Sequence, residues 1–252
     1  MSNPSDARIA LACMDLTSLG EDDSAADIAQ LARRARTPYG TPAALCVYPE
    51  LILAARMSLM REGIAQVRVA TVINFPEGSA DAERALRETR RALAVGADEI
   101  DLVFPYAVWL AGEHAAALAP VRAVAARCRG HAMLKVILET AAFSDPATLR
   151  AAADAVITAG AAMLKTSTGK HPAGGASPAA AQVLLDAIAA SPRSVGLKVS
   201  GGVRTLDDAS AYLALAAAYY GRERVVPARF RIGASALLDA LLPLLAQEPL
   251  ED

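Results

Sequence analysis

Lys165 stands in the stretch GAAMLKTSTGK (160–170), where small or apolar residues lead in and Thr166, Ser167, Thr168 and Gly169 lead away. A buried ammonium is costly unless it is paired or neutral. The position therefore calls for an internal carboxylate, or for an amine that can lose its proton. Lys198 in GLKVSGGVRT, Lys135 in AMLKVILET and Asp101 in DEIDLVF sit in similar apolar surroundings. Two lysines about 4 Å apart at an effective dielectric near 20 repel by roughly 4 kcal/mol, which is about three pKa units. An amine that starts near about 10.4 is then partly neutral around pH 7, with Asp101 offsetting part of the shift. A neutral lysine amine attacks carbonyl carbon to form a Schiff base, and a nearby aspartate can move protons, directly or through a water.

Metal chemistry finds less support. The three histidines, His114, His131 and His171, are far apart, and the three cysteines, Cys13, Cys46 and Cys128, form no CxxC. Metal centres built from these residue types need them clustered. The expectation is a reaction without metal or organic cofactor. An odd number of unevenly spaced cysteines suits a reducing compartment rather than a disulfide scaffold. A net charge of −2 and a pI near 6.0 suggest neither a nucleic-acid nor a membrane-surface partner. The start of the chain lacks the basic residues and cleavage site of a signal peptide, and its longest apolar run, 211–220, is half a membrane span. These features predict a soluble, cytoplasmic protein.

Elements must hold these residues together. Short β-branched or apolar runs recur at 9–16, 43–48, 67–75, 99–104, 132–139, 163–168, 194–200 and 229–232, separated by Ala/Leu/Arg segments of helical period. Ser144 and Ser177 are expected to cap two helices, and Thr205 with Asp208 another. Near the ends of the runs stand Asp15, Cys46, Asn74, Asp101, Lys135, Lys165, Lys198 and Gly233, spaced by 31, 28, 27, 34, 30, 33 and 35 residues. That is one βα unit repeated eight times, with no linker-like composition change. It predicts a single α/β domain over 1–252, a (β/α)8 TIM barrel. A doubly wound sheet fits less well, since no G-x-G-x-x-G follows the first strand.

In a barrel the chemistry sits at the C-terminal ends of the strands. Side chains alternate across each strand, so Asp101, Lys165 and Lys198 point into the mouth while Ile100, Leu102, Leu164, Leu197 and Val199 pack outward; Lys135 joins the inward set. GGVRT after strand seven and GAS after strand eight let backbone N–H groups approach an anion, the common phosphate arrangement of such barrels. The plain alternative is a structural ion pair between Lys165 and Asp101, which leaves Lys198 and Lys135 unexplained. Lys135 serves equally well as charge balance. Cys46 reads as a small buried hydrophobe or, at a strand end, as a thiol open to an enal.

The stretches MDLTSL, CVYP, TVINFPEG, GADEIDLVFPY, LKVILET, LKTSTGK, GLKVSGGVRT and RIGASALL occur in order between residues 14 and 238. With them the chain resembles the 2-deoxyribose-5-phosphate aldolases, class I (Schiff-base) aldolases of (β/α)8 fold. The resemblance implies that Lys165 forms the Schiff base, that Lys198 is the neighbouring ammonium and that Asp101 relays protons. It places Asp15 and Thr17 at the substrate end of the mouth and puts the 5-phosphate at Lys170, Gly201, Gly202, Gly233 and Ser235; Cys46, Lys135 and Thr168 are counted with the substrate-binding residues. It implies phosphosugar and aldehyde substrates and a homodimer. Three departures stand out: Val199-Ser200 replaces a frequent Pro-Ala, Ala236 replaces a frequent second serine, and the tail QEPLED carries no tyrosine to assist proton transfer.

Overall fold

The computed structural model describes residues 4–247. Eight strands form the inner layer: β1 (Met14–Thr17), β2 (Ala44–Val47), β3 (Arg68–Ile73), β4 (Glu99–Val103), β5 (Met133–Ile137), β6 (Met163–Lys165), β7 (Gly196–Ser200) and β8 (Phe230–Ala234). All neighbours pair in parallel, and β8 closes onto β1. The expected (β/α)8 TIM barrel is therefore the fold. Helix α1 (Pro4–Ala12) precedes the first strand, and α2 (Ala25–Ala35), α3 (Ile52–Arg61) and α4 (Ala82–Val95) follow the first three. The fourth unit carries a short α5 (Tyr106–Leu110) before α6 (His114–Cys128). Then come α7 (Pro146–Ala159), α8 (Pro178–Ala190), α9 (Leu206–Tyr220) and α10 (Leu237–Leu245).

Two local readings are corrected. The apolar run 9–16 is not one strand. Ala7, Ala10 and Leu11 are buried at helical spacing, so the run divides into the end of α1 and the start of β1. At α7 the cap is Asp145, not Ser144, because its carboxylate accepts from the N–H groups of both Ala147 and Thr148. Ser177 caps α8 as expected, and Thr205 with Asp208 closes a full capping box on α9.

Outward strand residues such as Leu45, Ile100, Val136, Leu164 and Leu197 pack with the helices in the main core. Inside the barrel the surface is divided. Strands β2 and β3 contribute the small apolar set Ala44, Cys46, Ala70 and Val72, whereas β1 and β4–β8 contribute charged residues. Register aligns those charges: Asp101 lies opposite Lys135, and Lys165 opposite Lys198. The loops after β6 and β7 touch backbone to backbone, since a Cβ on Gly175 would stand 2.3 Å from the carbonyl oxygen of Gly201. Gly175→Ala is expected to force these loops apart at a cost of about 1–3 kcal/mol, read as a lowered urea midpoint with unchanged far-UV circular dichroism.

Candidate active site

Seven charged side chains meet inside the barrel, each no more than 3% exposed: Asp15, Glu99, Asp101, Lys135, Lys165, Lys198 and Arg231. Asp101 is the hub. Its Oδ2 accepts from Lys165 Nζ at 2.8 Å and Lys198 Nζ at 2.7 Å, and its Oδ1 accepts from Lys135 Nζ at 2.9 Å. Lys198 also reaches Asp15 at 2.5 Å, while Lys135 reaches Asp15 at 3.2 Å and Glu99 at 2.5 Å. Beneath them Arg231 grips Glu99 at 2.6 Å and pairs with Asp15. The inward face of β8 makes room for the cluster at Gly233, where a Cβ would lie 3.0 Å from Lys198 Cε.

Proton affinities separate the amines. Burial pushes the Lys165 amine below its ordinary value, Asp101 opposes this and the Lys198 charge adds to it. The larger cause is thus desolvation rather than the neighbouring ammonium that the sequence suggested. Burial also works against the Lys198 ammonium, but Asp101 and Asp15 outweigh it and raise its value. Lys135 is likewise desolvated, and Asp101, Asp15 and Glu99 together hold it well above the ordinary lysine value. Asp101 is desolvated too, yet three lysines keep it well below the usual carboxylate range. The result is one amine of lowered basicity beside two of raised basicity. A neutral amine at a barrel mouth can add to a carbonyl, with the Asp101 carboxylate placed to carry protons.

Above Lys165 lies a cleft of about 450 Å³. Thr17, Thr168, Lys170, Gly201, Gly202, Gly233 and Ser235, all singled out from sequence, line it together with Lys165. Gly201 and Gly202, both lining the cleft, have φ of 87° and 92°, a region that favours glycine. Lys170, Gly202 and Ser235 are exposed at its rim. Thr17 Oγ1 donates to the carbonyl of Asp15 at 2.9 Å. Thr168 is committed to Glu139, donating from its N–H at 3.1 Å and from its hydroxyl at 2.5 Å. Cys46 is inward but fully buried in the apolar sector, and burial raises its thiol pKa, which disfavours the thiolate. Asn74 braces the mouth by donating to the carbonyls of Ser79 and Val103 at 2.8 and 3.0 Å.

Sequence reading missed Glu99 and Arg231 as members of the cluster, and Arg204, Asp23 and Glu139 near the mouth. Strand alternation places Glu99 two residues before Asp101 and Arg231 two before Gly233, so both were findable as inward residues. Ala236 leads into α10 without a side-chain cap, and residues 248–252, where the tail lacks a tyrosine, lie outside the described residues. Among the described residues no group of three His, Cys, Asp or Glu is placed to hold a metal ion, and no helix is long and apolar enough to cross a membrane.

A closed βα barrel with an amine-and-carboxylate cluster under a polar cleft at its mouth is an architecture suited to carbonyl chemistry. The chain belongs to the DeoC/LacD family of aldolases, whose sequence profile matches residues 9–242. It is similar to a candidate deoxyribose-phosphate aldolase from Coccidioides immitis, with 29% identity, TM-score 0.79, and 92% of this chain and 85% of that one covered. It is also similar to a deoxyribose phosphate aldolase from Aeropyrum pernix, described as having a tetrameric structure, with 28% identity, TM-score 0.75 and coverage of 96% and 92%. A candidate deoxyribose-phosphate aldolase from Toxoplasma gondii shares the fold at TM-score 0.88 with 21% identity, over 98% and 96% of the two chains.

The cluster also makes stability depend on pH. Asp15 and Asp101 have folded values below the ordinary one, so their contribution is complete above about pH 4 and is lost as pH falls through those folded values. Asp101→Asn leaves three lysines without their shared carboxylate. It is expected to cost about 3–5 kcal/mol at neutral pH and to flatten the decline in stability between about pH 4 and 2, as measured by urea midpoints across pH.

Proposed function

We propose that this aldolase cleaves 2-deoxy-D-ribose 5-phosphate reversibly to D-glyceraldehyde 3-phosphate and acetaldehyde through a Schiff base on Lys165. The observation that carries the reading is the single depressed amine, 2.8 Å from a carboxylate and opposite a lysine held charged, at the floor of a cleft with a basic rim. The family membership and the two relatives near 30% identity support it. No metal or organic cofactor is required by this route.

Lys165 Nζ adds to C1 of the open-chain sugar, and the carbinolamine loses water to give an iminium. Loss of the C3 hydroxyl proton, through Asp101 or a water bound to it, breaks the C2–C3 bond. The bonding pair moves onto C2 and into the iminium, which becomes an enamine as glyceraldehyde 3-phosphate leaves. Protonation of C2 restores an iminium, and water releases acetaldehyde and the free amine. Lys198, charged and bound to Asp15 and Asp101, supports each neutral state of its neighbour. Cys46 contributes wall rather than chemistry, and Lys135 holds Asp101 and Asp15 in place.

The phosphate is held at Gly201, Gly202, Gly233 and Ser235, with Lys170 supplying charge. Arg204 on the same cleft offers a cation near the place where Ala236 has no hydroxyl. We further propose that the chain works in a reducing cytoplasm and self-associates, with the exposed face of α3 carrying Leu53, Met57 and Met60 as the contact. A homodimer is the assembly expected from light scattering, beside the tetramer described for the Aeropyrum relative.

Steady-state assays test the substrate. Cleavage of the 5-phosphate is expected with kcat/KM at least about tenfold above that for free deoxyribose, the value of roughly one lost charge-assisted contact, and Lys170→Ala should erase most of that margin. Lys165→Arg should retain the fold and lower turnover to roughly a thousandth or less. Equal rates on the two sugars would transfer the assignment to a Schiff-base aldolase for unphosphorylated aldehydes.

A further inference from the structure

Arg231 and Glu99 lie at the end of the barrel away from the cleft, where both line a separate cavity of about 740 Å³. Neither lines the cleft above Lys165. Yet they are continuous with the lysine cluster, through Arg231 to Asp15 and through Glu99 to Lys135. The composition of that cluster is uneven: four basic groups, Arg231, Lys135, Lys165 and Lys198, face three carboxylates, Asp15, Glu99 and Asp101. With every base protonated it carries one surplus positive charge, and with one amine neutral it carries none.

Which group gives up the proton follows from geometry. A guanidinium does not deprotonate in a protein, so Arg231 is a fixed charge. Lys135 is within 3.2 Å of three carboxylates and Lys198 within 2.7 Å of two, whereas Lys165 has Asp101 alone. We propose that Arg231 and Glu99 are positioning residues for the reaction. Arg231 is the fixed charge that makes the cluster one proton too rich, and Glu99 anchors it so that Lys165 is the amine released as the neutral nucleophile. Without Arg231 the remaining bases and carboxylates would balance, and every lysine would keep its proton. The proposal rests on the reading of Lys165 as the reacting amine and adds what sets its charge.

Other charged groups are accounted for. Lys165 is faced by Asp101 from β4, Lys198 from β7 and Cys46 from β2, and the cleft above it carries Lys170, Arg204 and Asp23 on the loops after β6, β7 and β1. Buried Glu139 stands apart, bound to Thr168. Arg231 is faced by Asp15 and Cys13, by Glu99 and by Lys135, and its Nε donates to the carbonyl of Pro227 at 2.5 Å. Asp98, Arg68 and His131 line the cavity beyond it, where Asp98 is already bound to Arg56 at 2.6 Å.

The test is the acidic limb of kcat/KM against pH for deoxyribose 5-phosphate cleavage, which reports the essential base of the free enzyme. Arg231→Gln is expected to move the limb to higher pH by about half a unit or more, and Glu99→Gln to lower pH by a similar amount. The Glu99→Gln/Arg231→Gln double variant, again one base in excess, should return to the wild-type limb, as should Arg231→Lys. A purely structural pair would lower rates without moving the limb in opposite directions. If Arg231→Gln does not fold, a downward shift in Glu99→Gln that the double variant reverses supports the proposal. Limbs that coincide, or that move the same way in both single variants, overturn it. A wild-type enzyme without lyase activity at any pH overturns instead the reading of Lys165 on which it rests.

Discussion

One carboxylate shared among three lysines organises this molecule. Asp101 is fully buried and each of its oxygens is engaged by an amine. Charges removed from water cost several kcal/mol each unless close partners replace the lost hydration. The cluster therefore exists only because the barrel brings β1, β4, β5, β6, β7 and β8 to one axis with their inward residues in register. Change the register of any of these strands by one residue and the charges would turn outward into the helical layer.

The barrel interior is accordingly built in unequal sectors. Strands β2 and β3 present Ala44, Cys46, Ala70 and Val72, small side chains that fill space without competing for protons. The opposite sector holds all seven charges. Along the axis there is a second division. Arg231 and Glu99 stand at the N-terminal end, where barrels invest in stability, and Lys165 stands at the C-terminal end under the glycine loops, where they carry chemistry. Gly233 links the two by leaving the space that the Lys198 stem occupies. Burial of Lys165 lowers its basicity at the same point where the cleft gives it access to ligand.

Much of this was legible from sequence because eight units of similar length place one polar residue near each strand end. The alternation of Met163, Lys165 and Ser167 against Leu164 and Thr166 was enough to turn Lys165 inward, and Lys198 followed by the same rule. The start of the chain was not legible. An apolar run of eight residues without alternation fits a strand as well as a helix, and only burial of Ala7, Ala10 and Leu11 on one face decided it. The cap at Asp145 was missed because Ser144 beside it has the same propensity. Glu99 and Arg231 were overlooked as members of the cluster because they stand at or near the N-terminal ends of their strands, away from the mouth; alternation turns both inward, but their pairing shows only once β1, β4, β5 and β8 are brought together. That burial of Lys165 is costly was legible from its apolar run, but its weight against the Lys198 charge was not: pairwise repulsion can be argued from adjacent strands, whereas the extent of burial is a property of the closed barrel.

The central claim is that Lys165, among three neighbouring lysines, is the amine that bonds to carbonyl carbon. The direct measurement is borohydride reduction of the protein in the presence of acetaldehyde at neutral pH, followed by peptide mass mapping. A two-carbon adduct confined to Lys165, with Lys135 and Lys198 unmodified, is the predicted result. An adduct on Lys198 would reverse the assignment of nucleophile and ammonium, and folded protein without any adduct on the three lysines would contradict the account.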